Sequence, residues 1–215
     1  MTPPDKPRKR RYDAPGRVAQ AARTRNAVVA AATQLFELHG WSGTTVNAVA
    51  ERAGVSRQTV EAGFGTKAAL LSAAVDLSIR GDTDPVPMPR RDVVAEMERA
   101  ADGAAMLDLH ARHIRTVNGR SARTAWVVEH AAASSPAVAE LWSRMTANRR
   151  YAAGWAATTF LAKQNAPALA REDVEEAFWV GIDWRTYRSL TDERGLGAEG
   201  FERWLRRYYG AMFGV

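Results

Sequence analysis

Apolar residues recur every three or four positions along most of the sequence, which is the spacing of helices with one buried face. A first helix is predicted over about 19–39, and Gly40 follows its last turn. Its apolar face carries Val28, Ala31, Ala32, Leu35 and Phe36. No run of alternating β-branched residues indicates a strand. The pattern therefore predicts an all-α fold of about nine to ten helices.

Three shorter helices are predicted next. Thr44 or Thr45 can cap the second helix, which ends at Gly54. Ser56 can cap a third helix that buries Val60. A fourth helix is predicted from near Thr66 and Lys67 to about Arg80, and a proline-rich linker follows over 81–89. Further helices are predicted over about 92–101, 103–118, 121–133, 136–159, 171–194 and 198–213.

The turn between the second and third helices has the composition of a helix-turn-helix. Gly54 supplies the left-handed backbone that such a turn needs, and Val55 fills the space between the helices. The third helix would then present a polar face to the DNA major groove, with Arg57 able to pair with guanine and Gln58 with adenine. A plain three-helix bundle with a solvated face is the alternative. The predicted DNA-contacting residues of this region are Thr44, Thr45, Ser56, Arg57, Gln58, Thr59, Glu61 and Lys67.

Positive charge is concentrated at the N-terminus. The chain has a net charge of +6, and residues 1–25 alone hold 8 basic and 2 acidic residues. Several prolines oppose regular structure there, so residues 1–18 are predicted to be a disordered basic arm. Lys9, Arg10 and Arg11 are predicted to contact DNA, because such an arm gains free energy by releasing counterions from phosphates. A solubilising tail is the alternative.

Residues 23–71 carry a specific combination of motifs. AVVAAATQLFELHG is followed by TTVNAVAERAGVSRQTV, then by Phe64 and by Lys67 before Ala-Ala-Leu-Leu. This segment resembles the DNA-binding region of the tetracycline-repressor (TetR) family. The resemblance implies a DNA-binding domain over 19–66, a ligand-binding and dimerisation domain over 67–215, and a homodimeric repressor that a small apolar or amphipathic ligand releases from double-stranded operator DNA.

The sequence departs from the family pattern after Val60. Members commonly carry an aromatic residue at the position of Glu61, and often a histidine at that of Gly63. An acid at this position repels phosphate unless it accepts a hydrogen bond from cytosine or is neutralised by Arg57 one turn earlier. The alternative function is therefore a dimeric small-molecule-binding protein whose specific DNA binding is weak or lost.

The C-terminal part is rich in tryptophan and methionine, and it offers candidates for a ligand pocket and a dimer interface. Ordinary core packing is the alternative for each pocket residue. The predicted pocket residues are Met106, His110, Trp126, His130, Met145, Trp155 and Phe178. Aromatic residues and arginine on the last two helices favour an interface. The predicted interface residues are Trp184, Tyr187, Arg188, Phe201, Trp204, Leu205 and Tyr208.

Several functions are not expected. The chain has no cysteine, so disulfides and thiolate metal sites are excluded. No nucleophile-base motif or glycine-rich phosphate loop is present, and we expect neither catalysis nor a cofactor or metal. The longest uncharged segment is too short for a membrane-spanning helix, and no secretory signal is evident. We expect a cytoplasmic protein that does not bind membranes.

Overall fold

The computed structural model describes residues 14–84, 86–163 and 167–214. Within these ranges the chain forms ten α-helices and no strand, as predicted. The predicted disordered arm over residues 1–18 needs correction at its end, because residues 14–18 belong to the first helix. The rest of the arm, with Lys9, Arg10 and Arg11, lies outside the described residues. The helices are α1 (Ala14–Gly43), α2 (Val46–Ala53), α3 (Arg57–Phe64), α4 (Lys67–Arg80), α5 (Asp92–Arg99), α6 (Gly103–Ala132), α7 (Pro136–Leu161), α8 (Arg171–Gly181), α9 (Trp184–Arg188) and α10 (Gly197–Phe213).

Three N-terminal helices begin at hydroxyl side chains that act as caps. Thr45 Oγ1 accepts from the Ala48 amide, Ser56 Oγ from the Thr59 amide, and Thr66 Oγ1 from the Ala69 amide, each at 3.1 Å. Each cap satisfies an amide that has no partner inside the helix and stabilises that helix by about 1 kcal/mol. The predicted starts of α2, α3 and α4 are confirmed.

The first helix begins at Ala14, earlier than the predicted start at 19. Its regular backbone stops at Gly40, as predicted, because Gly40 has non-helical dihedral angles (φ 65°, ψ −170°) and the helix axis kinks there. Glycine adopts a positive φ without steric cost, so the chain changes direction before a further helical turn that ends at Gly43. The kink brings Thr44 back against α1.

The prediction of two helices over 103–118 and 121–133 was wrong, because α6 is continuous. The segment around Asn118 and Gly119 has low helix propensity, but tertiary contacts stabilise it. The buried Asn118 amide donates to the Ile182 carbonyl at 3.4 Å. Arg120 donates to the carbonyls of Ser78 and Ile79, in the last turn of α4, at 3.2 and 2.9 Å.

The predicted continuous helix over 171–194 is also wrong. α8 ends at Gly181, and Asp183 caps α9 by accepting from the Arg185 amide at 2.8 Å. Asp183 also forms an ion pair with Arg149 of α7 at 2.8 Å. A π-helical turn over Ser189–Glu193 then connects α9 to the segment before α10. The bend at Asp183 turns the chain from α8 towards α6, on which α9 packs.

Two hydrophobic cores organise the helices. The first contains the buried faces of α1 to α4 together with Val127 and Val128 of α6 and Val138 and Leu141 of α7. The second lies among α5 to α10 and is rich in aromatic rings. The long helices α6 and α7 contribute to both cores, so the N-terminal helices pack directly on the C-terminal ones. No described helix is long and apolar enough to cross a bilayer.

Candidate nucleic-acid interface

The helix α3 has one buried residue at its centre and a polar outer face. Val60 is 1% exposed and packs in the first core. Gly54, with φ 68°, supplies the left-handed turn that the sequence predicted before α3. Four side chains predicted to face DNA are exposed on this short helix: Arg57, Gln58, Thr59 and Glu61. The arrangement is a helix-turn-helix whose second helix projects from the body of the protein.

Arg57 is held by two polar neighbours. Its Nε lies 2.7 Å from Glu61 Oε1, and its Nη1 donates to Asn47 Oδ1 of α2 at 3.2 Å. An exposed pair one turn apart contributes only about 0.3–0.5 kcal/mol, so DNA can rearrange it. Asn47 was not among the predicted residues. Its exposed place in the first turn of α2, the neighbouring helix of the motif, is the signal that could have identified it.

Two cations border the helix-turn-helix and lie over aromatic rings. Lys67 Nζ, in the first turn of α4, is 4.3 Å from the centre of the Trp41 ring, and partial burial lowers the pKa of Lys67. The Arg25 guanidinium lies 4.4 Å from the Phe64 ring and donates to the Gly63 carbonyl at 3.2 Å. These contacts fix both charges beside α3. Arg25 was not among the predicted residues.

The two threonines at the start of α2 have different environments. Thr45 is exposed and caps α2. Thr44 is 1% exposed, and its hydroxyl donates to the Gly40 carbonyl at 2.8 Å. The prediction that Thr44 contacts DNA therefore needs correction for its side chain, because the kink at Gly40 buries it.

The residues predicted to line a ligand pocket do not all lie together. Met106, His110 and Phe178 are packed within the second core, whereas Met145 and Trp155 are partly buried at its edge. His110 meets Phe178 edge-on with ring centres 4.9 Å apart. Burial lowers the pKa of His110 to about 3, so this histidine is neutral near neutral pH.

Trp126 and His130 need a different assignment. Their rings contact each other on the surface of α6, with centres 4.2 Å apart, and Trp126 is 39% exposed. Both side chains project away from the aromatic core, so they do not line a cavity with His110. Their spacing of four residues places them on the same outer face of the helix.

Most of the predicted interface residues belong to the core of their own chain. Phe201 and Leu205 are fully buried, and Trp184 and Tyr187 are each 9% exposed. Their side chains therefore do not offer a surface to a partner, since the apolar face of α10 packs on α6 and α8. The remaining predicted interface residues are partly exposed, namely Arg188, Trp204 and Tyr208.

Residues 28–74 match the family model described as bacterial regulatory proteins, tetR family. A comparison with proteins of curated function gave no match. Several solved structures share the fold. A TetR-family transcriptional regulator from Mesorhizobium loti MAFF303099 is 17% identical with a TM-score of 0.68, over 91% of this chain and 98% of that chain.

Two further solved structures resemble nearly the whole chain. A transcriptional regulator from Rhodococcus sp. Rha1 is 20% identical with a TM-score of 0.59, over 88% of this chain and 95% of that chain. A transcriptional regulator from Saccharomonospora viridis, solved in complex with choline, is 16% identical with a TM-score of 0.64, over 88% and 96% of the two chains. The helix-turn-helix region is therefore similar to the tetR family of bacterial regulatory proteins over residues 28–74, and the chain shares the fold of these regulators.

Proposed function

We propose that the protein is a transcriptional repressor that binds double-stranded operator DNA as a homodimer and is released by a small apolar or amphipathic ligand. The observation that carries this proposal is the exposed face of α3, with Arg57, Gln58, Thr59 and Glu61 projecting from a helix that buries only Val60. Arginine and glutamine side chains at the start of such a helix can form paired hydrogen bonds with guanine and adenine.

The groups around α3 support contacts with the DNA backbone. The amides at the starts of α2 and α4 and the cations Lys67 and Arg25 lie beside the recognition helix. Helix N-termini and cations both attract phosphate. The basic N-terminal arm would add contacts that depend on salt but not on sequence. In this proposal α3 selects the site and the surrounding charges supply much of the affinity.

Dimerisation is proposed through the outer faces of α8 and α10. Val180 on α8 and Met212 on α10 are 43% and 49% exposed, so both can contribute apolar surface to such a contact. Trp204 and Tyr208 stack on each other two turns and one turn before Met212 on α10, with ring centres 5.2 Å apart. A two-fold contact there would present two α3 helices to successive major grooves, about 34–36 Å apart.

The aromatic core supports an effector site. His110 Nδ1 and the Tyr209 hydroxyl are buried and have no hydrogen-bond partner among the described residues. Unpaired buried polar groups cost about 1–3 kcal/mol each, and a ligand with a polar end would satisfy them. Choline, found in the Saccharomonospora viridis regulator, is a suitable first probe because quaternary ammonium groups bind aromatic rings.

A movement of the C-terminal domain could reach the DNA-binding helices through α4. The Ser78 and Thr124 hydroxyls share a buried 2.8 Å hydrogen bond between α4 and α6, and Arg120 donates to carbonyls in the last turn of α4. A ligand that moved α6 would therefore move α4, which follows α3 after only two residues. Changing the separation of the two α3 helices would then release the operator.

The test is selection of binding sites from random DNA by the full-length protein, followed by affinity measurements on the enriched sequence. We expect an inverted repeat that two copies bind, and a dimer by light scattering. A variant lacking residues 1–13 should bind more weakly and lose about 0.9 from the slope of log affinity against log salt for each phosphate contact removed. An unchanged slope would contradict the role of the arm, and a stable monomer would contradict the dimer.

The second candidate is a dimeric ligand-binding protein with weak or lost specific DNA binding. The observation that favours it is the ion pair between Arg57 and Glu61. In this pair the carboxylate of Glu61 binds the guanidinium group that would otherwise contact a base. Failure to enrich any sequence, combined with saturable ligand binding, would favour this second function.

A further inference from the structure

A small polar cavity lies where the first helix meets the C-terminal domain. Its volume is about 180 Å³, and it is lined by charged side chains of α1, α6, α9 and the π-helical turn. The residues that matter for its chemistry are Glu37, Arg120, Arg123, Tyr187, Arg188 and Asp192. The cavity is distinct from the aromatic core around His110 and from the exposed face of α3.

Not every arginine that lines this cavity is paired with an acidic side chain among the described residues. Arg188 is paired with Asp192 at 3.1 Å. Arg120 donates to the main-chain carbonyls of Ser78 and Ile79 and, among the described residues, has no acidic partner within 4 Å. Arg123 forms no ion pair within the part of the chain that the structure describes. Arg120 and Arg123 therefore line the cavity without a carboxylate in contact among the described residues. The Arg120 guanidinium is held by the carbonyls at the end of α4, and the charge of Arg123 lowers the pKa of Asp192 without direct contact.

The one remaining acid in the lining is a weak competitor for these guanidinium groups. Glu37, on α1, forms no ion pair within 4 Å among the described residues. Burial raises its pKa, while the positive charge of Arg123 lowers it, and burial is the larger effect. A carboxyl group in this environment is more readily protonated than usual and can then donate a hydrogen bond.

The side chain of Tyr187 also lines the cavity and carries a hydroxyl group. The residue is only 9% exposed, and its hydroxyl makes no hydrogen bond with any described residue. Its position is fixed because the ring meets Phe201 edge-on, with centres 4.8 Å apart. A fixed hydroxyl and two unneutralised guanidinium groups are donors that suit an oxyanion.

We propose that the cavity formed by Arg120, Arg123 and Tyr187 binds a small oxyanion, with the size of phosphate or a short carboxylate. Drug-sized ligands occupy pockets of about 300–1,000 Å³, so the present volume selects a much smaller molecule. The three donors come from α6 and α9, and the opposite wall is Glu37 of the DNA-binding half. The ligand would thus bridge the two halves of the protein.

The experiment is a calorimetric titration of the full-length protein with inorganic phosphate and, separately, with malonate, at constant ionic strength and without DNA. We expect a saturable signal with a dissociation constant of about 1 mM. Arg123→Gln should raise this constant at least about tenfold, since it removes a charge-assisted hydrogen bond. Tyr187→Phe should raise it about threefold, since it removes a neutral one.

Arg112→Gln is the matched control, because Arg112 is an exposed arginine on the same helix outside the cavity. It should bind the anion as the wild type does. Arg123 packs against no aromatic ring and forms no ion pair among the described residues, so its replacement should leave the melting temperature nearly unchanged.

Phosphate binding alone, malonate binding alone, or both would support the site and identify the anion class. Absence of saturable heat with either anion up to about 20 mM would overturn the proposal. Equal weakening by Arg112→Gln would also overturn it, because it would indicate adsorption to surface charge. These outcomes are independent of operator binding, so this inference and the proposed repressor function can fail separately.

Discussion

The Arg57 guanidinium donates to the Glu61 carboxylate across 2.7 Å, one turn further along α3, and both side chains remain exposed. In the protein without DNA, the charge of Arg57, the main candidate for binding guanine, is therefore neutralised by Glu61. DNA must either break this pair or use it intact, with Arg57 donating to one base and Glu61 accepting from a neighbouring cytosine. The two possibilities differ in what removal of the acid would do.

Glu61→Gln should increase affinity for DNA of random sequence about three- to tenfold at low salt, because it removes a negative charge near the phosphates. The slope of log affinity against log salt should steepen by up to about 0.9, since Arg57 becomes free to contact a phosphate. Fluorescence anisotropy over a series of salt concentrations measures both quantities. Glu51→Gln, an exposed acid on α2, is the control. A loss of affinity for the selected operator alone would instead mean that Glu61 reads a base.

Gly54→Ala should destabilise the protein by about 1 kcal/mol, because φ at this position is 68° and an L side chain is strained there. Gly63→Ala is the matched control in α3. A Cβ at Gly63 meets no atom within 4 Å, and its helical backbone gains about 0.5 kcal/mol from alanine. Urea unfolding measures both changes. Equal effects from the two substitutions would show that the turn conformation is not the cause.

The buried His110 predicts an acid-dependent loss of stability. Burial holds its folded-state pKa at about 3, below the ordinary value of 6.5, with a smaller contribution from His113. Between these two values the unfolded chain binds more protons, so the free energy of unfolding falls as the pH drops below about 6.5 and continues to fall towards about 3. By about pH 5 the loss from this one residue is ~2 kcal/mol.

His110→Phe should remove that contribution, leaving a shallower dependence of unfolding free energy on pH. A residual slope of the same sign is expected from His113, whose pKa is lowered to about 4 by burial and, to a lesser extent, by Arg120. The measurement is the urea midpoint at several pH values, with the exposed residue His39 replaced by Gln as a control. Parallel curves for His110→Phe and the wild type would rule out this assignment.

Gly181 marks the close approach of α8 to α10. A Cβ at this position would lie on the Tyr209 hydroxyl and 2.9 Å from Leu205 Cδ1. Gly181→Ala should therefore cost about 2–3 kcal/mol through overpacking. Tyr209→Phe, which deletes a buried hydroxyl without a partner among the described residues, should recover about half of that loss in the double variant. Additive effects in a double-mutant cycle would contradict the contact.

The N-terminal half of the fold was predictable because its signals are local. Thr45, Ser56 and Thr66 cap helices through amides three residues away, and Gly54 bends the chain at its own position. Such signals need no knowledge of the rest of the fold. These local signals also predicted the exposed polar face of α3. They did not reveal that Thr44 is buried, since that depends on the non-helical conformation of Gly40, which kinks α1 and brings Thr44 against it.

The two errors in the C-terminal half share one long-range cause. The sequence favoured a break near Asn118 and continuity near Ile182, whereas the structure has the reverse. The Asn118 amide satisfies the Ile182 carbonyl, 64 positions away, where α8 has ended. A contact between residues so far apart in the sequence produces no periodic pattern of apolar positions. Likewise, periodicity identified the apolar residues of α10 but not whether they face a partner or their own core.

The core that α1 to α4 share with α6 and α7 has a consequence for protein engineering. Val127, Val128, Val138 and Leu141 fill space that the first eighty residues do not fill themselves. A fragment cut after Arg80 would leave that apolar surface in water and lose cooperative folding. Exchanging C-terminal halves between regulators of this fold would therefore require the end of α6 and the start of α7 to remain matched to α1 to α4.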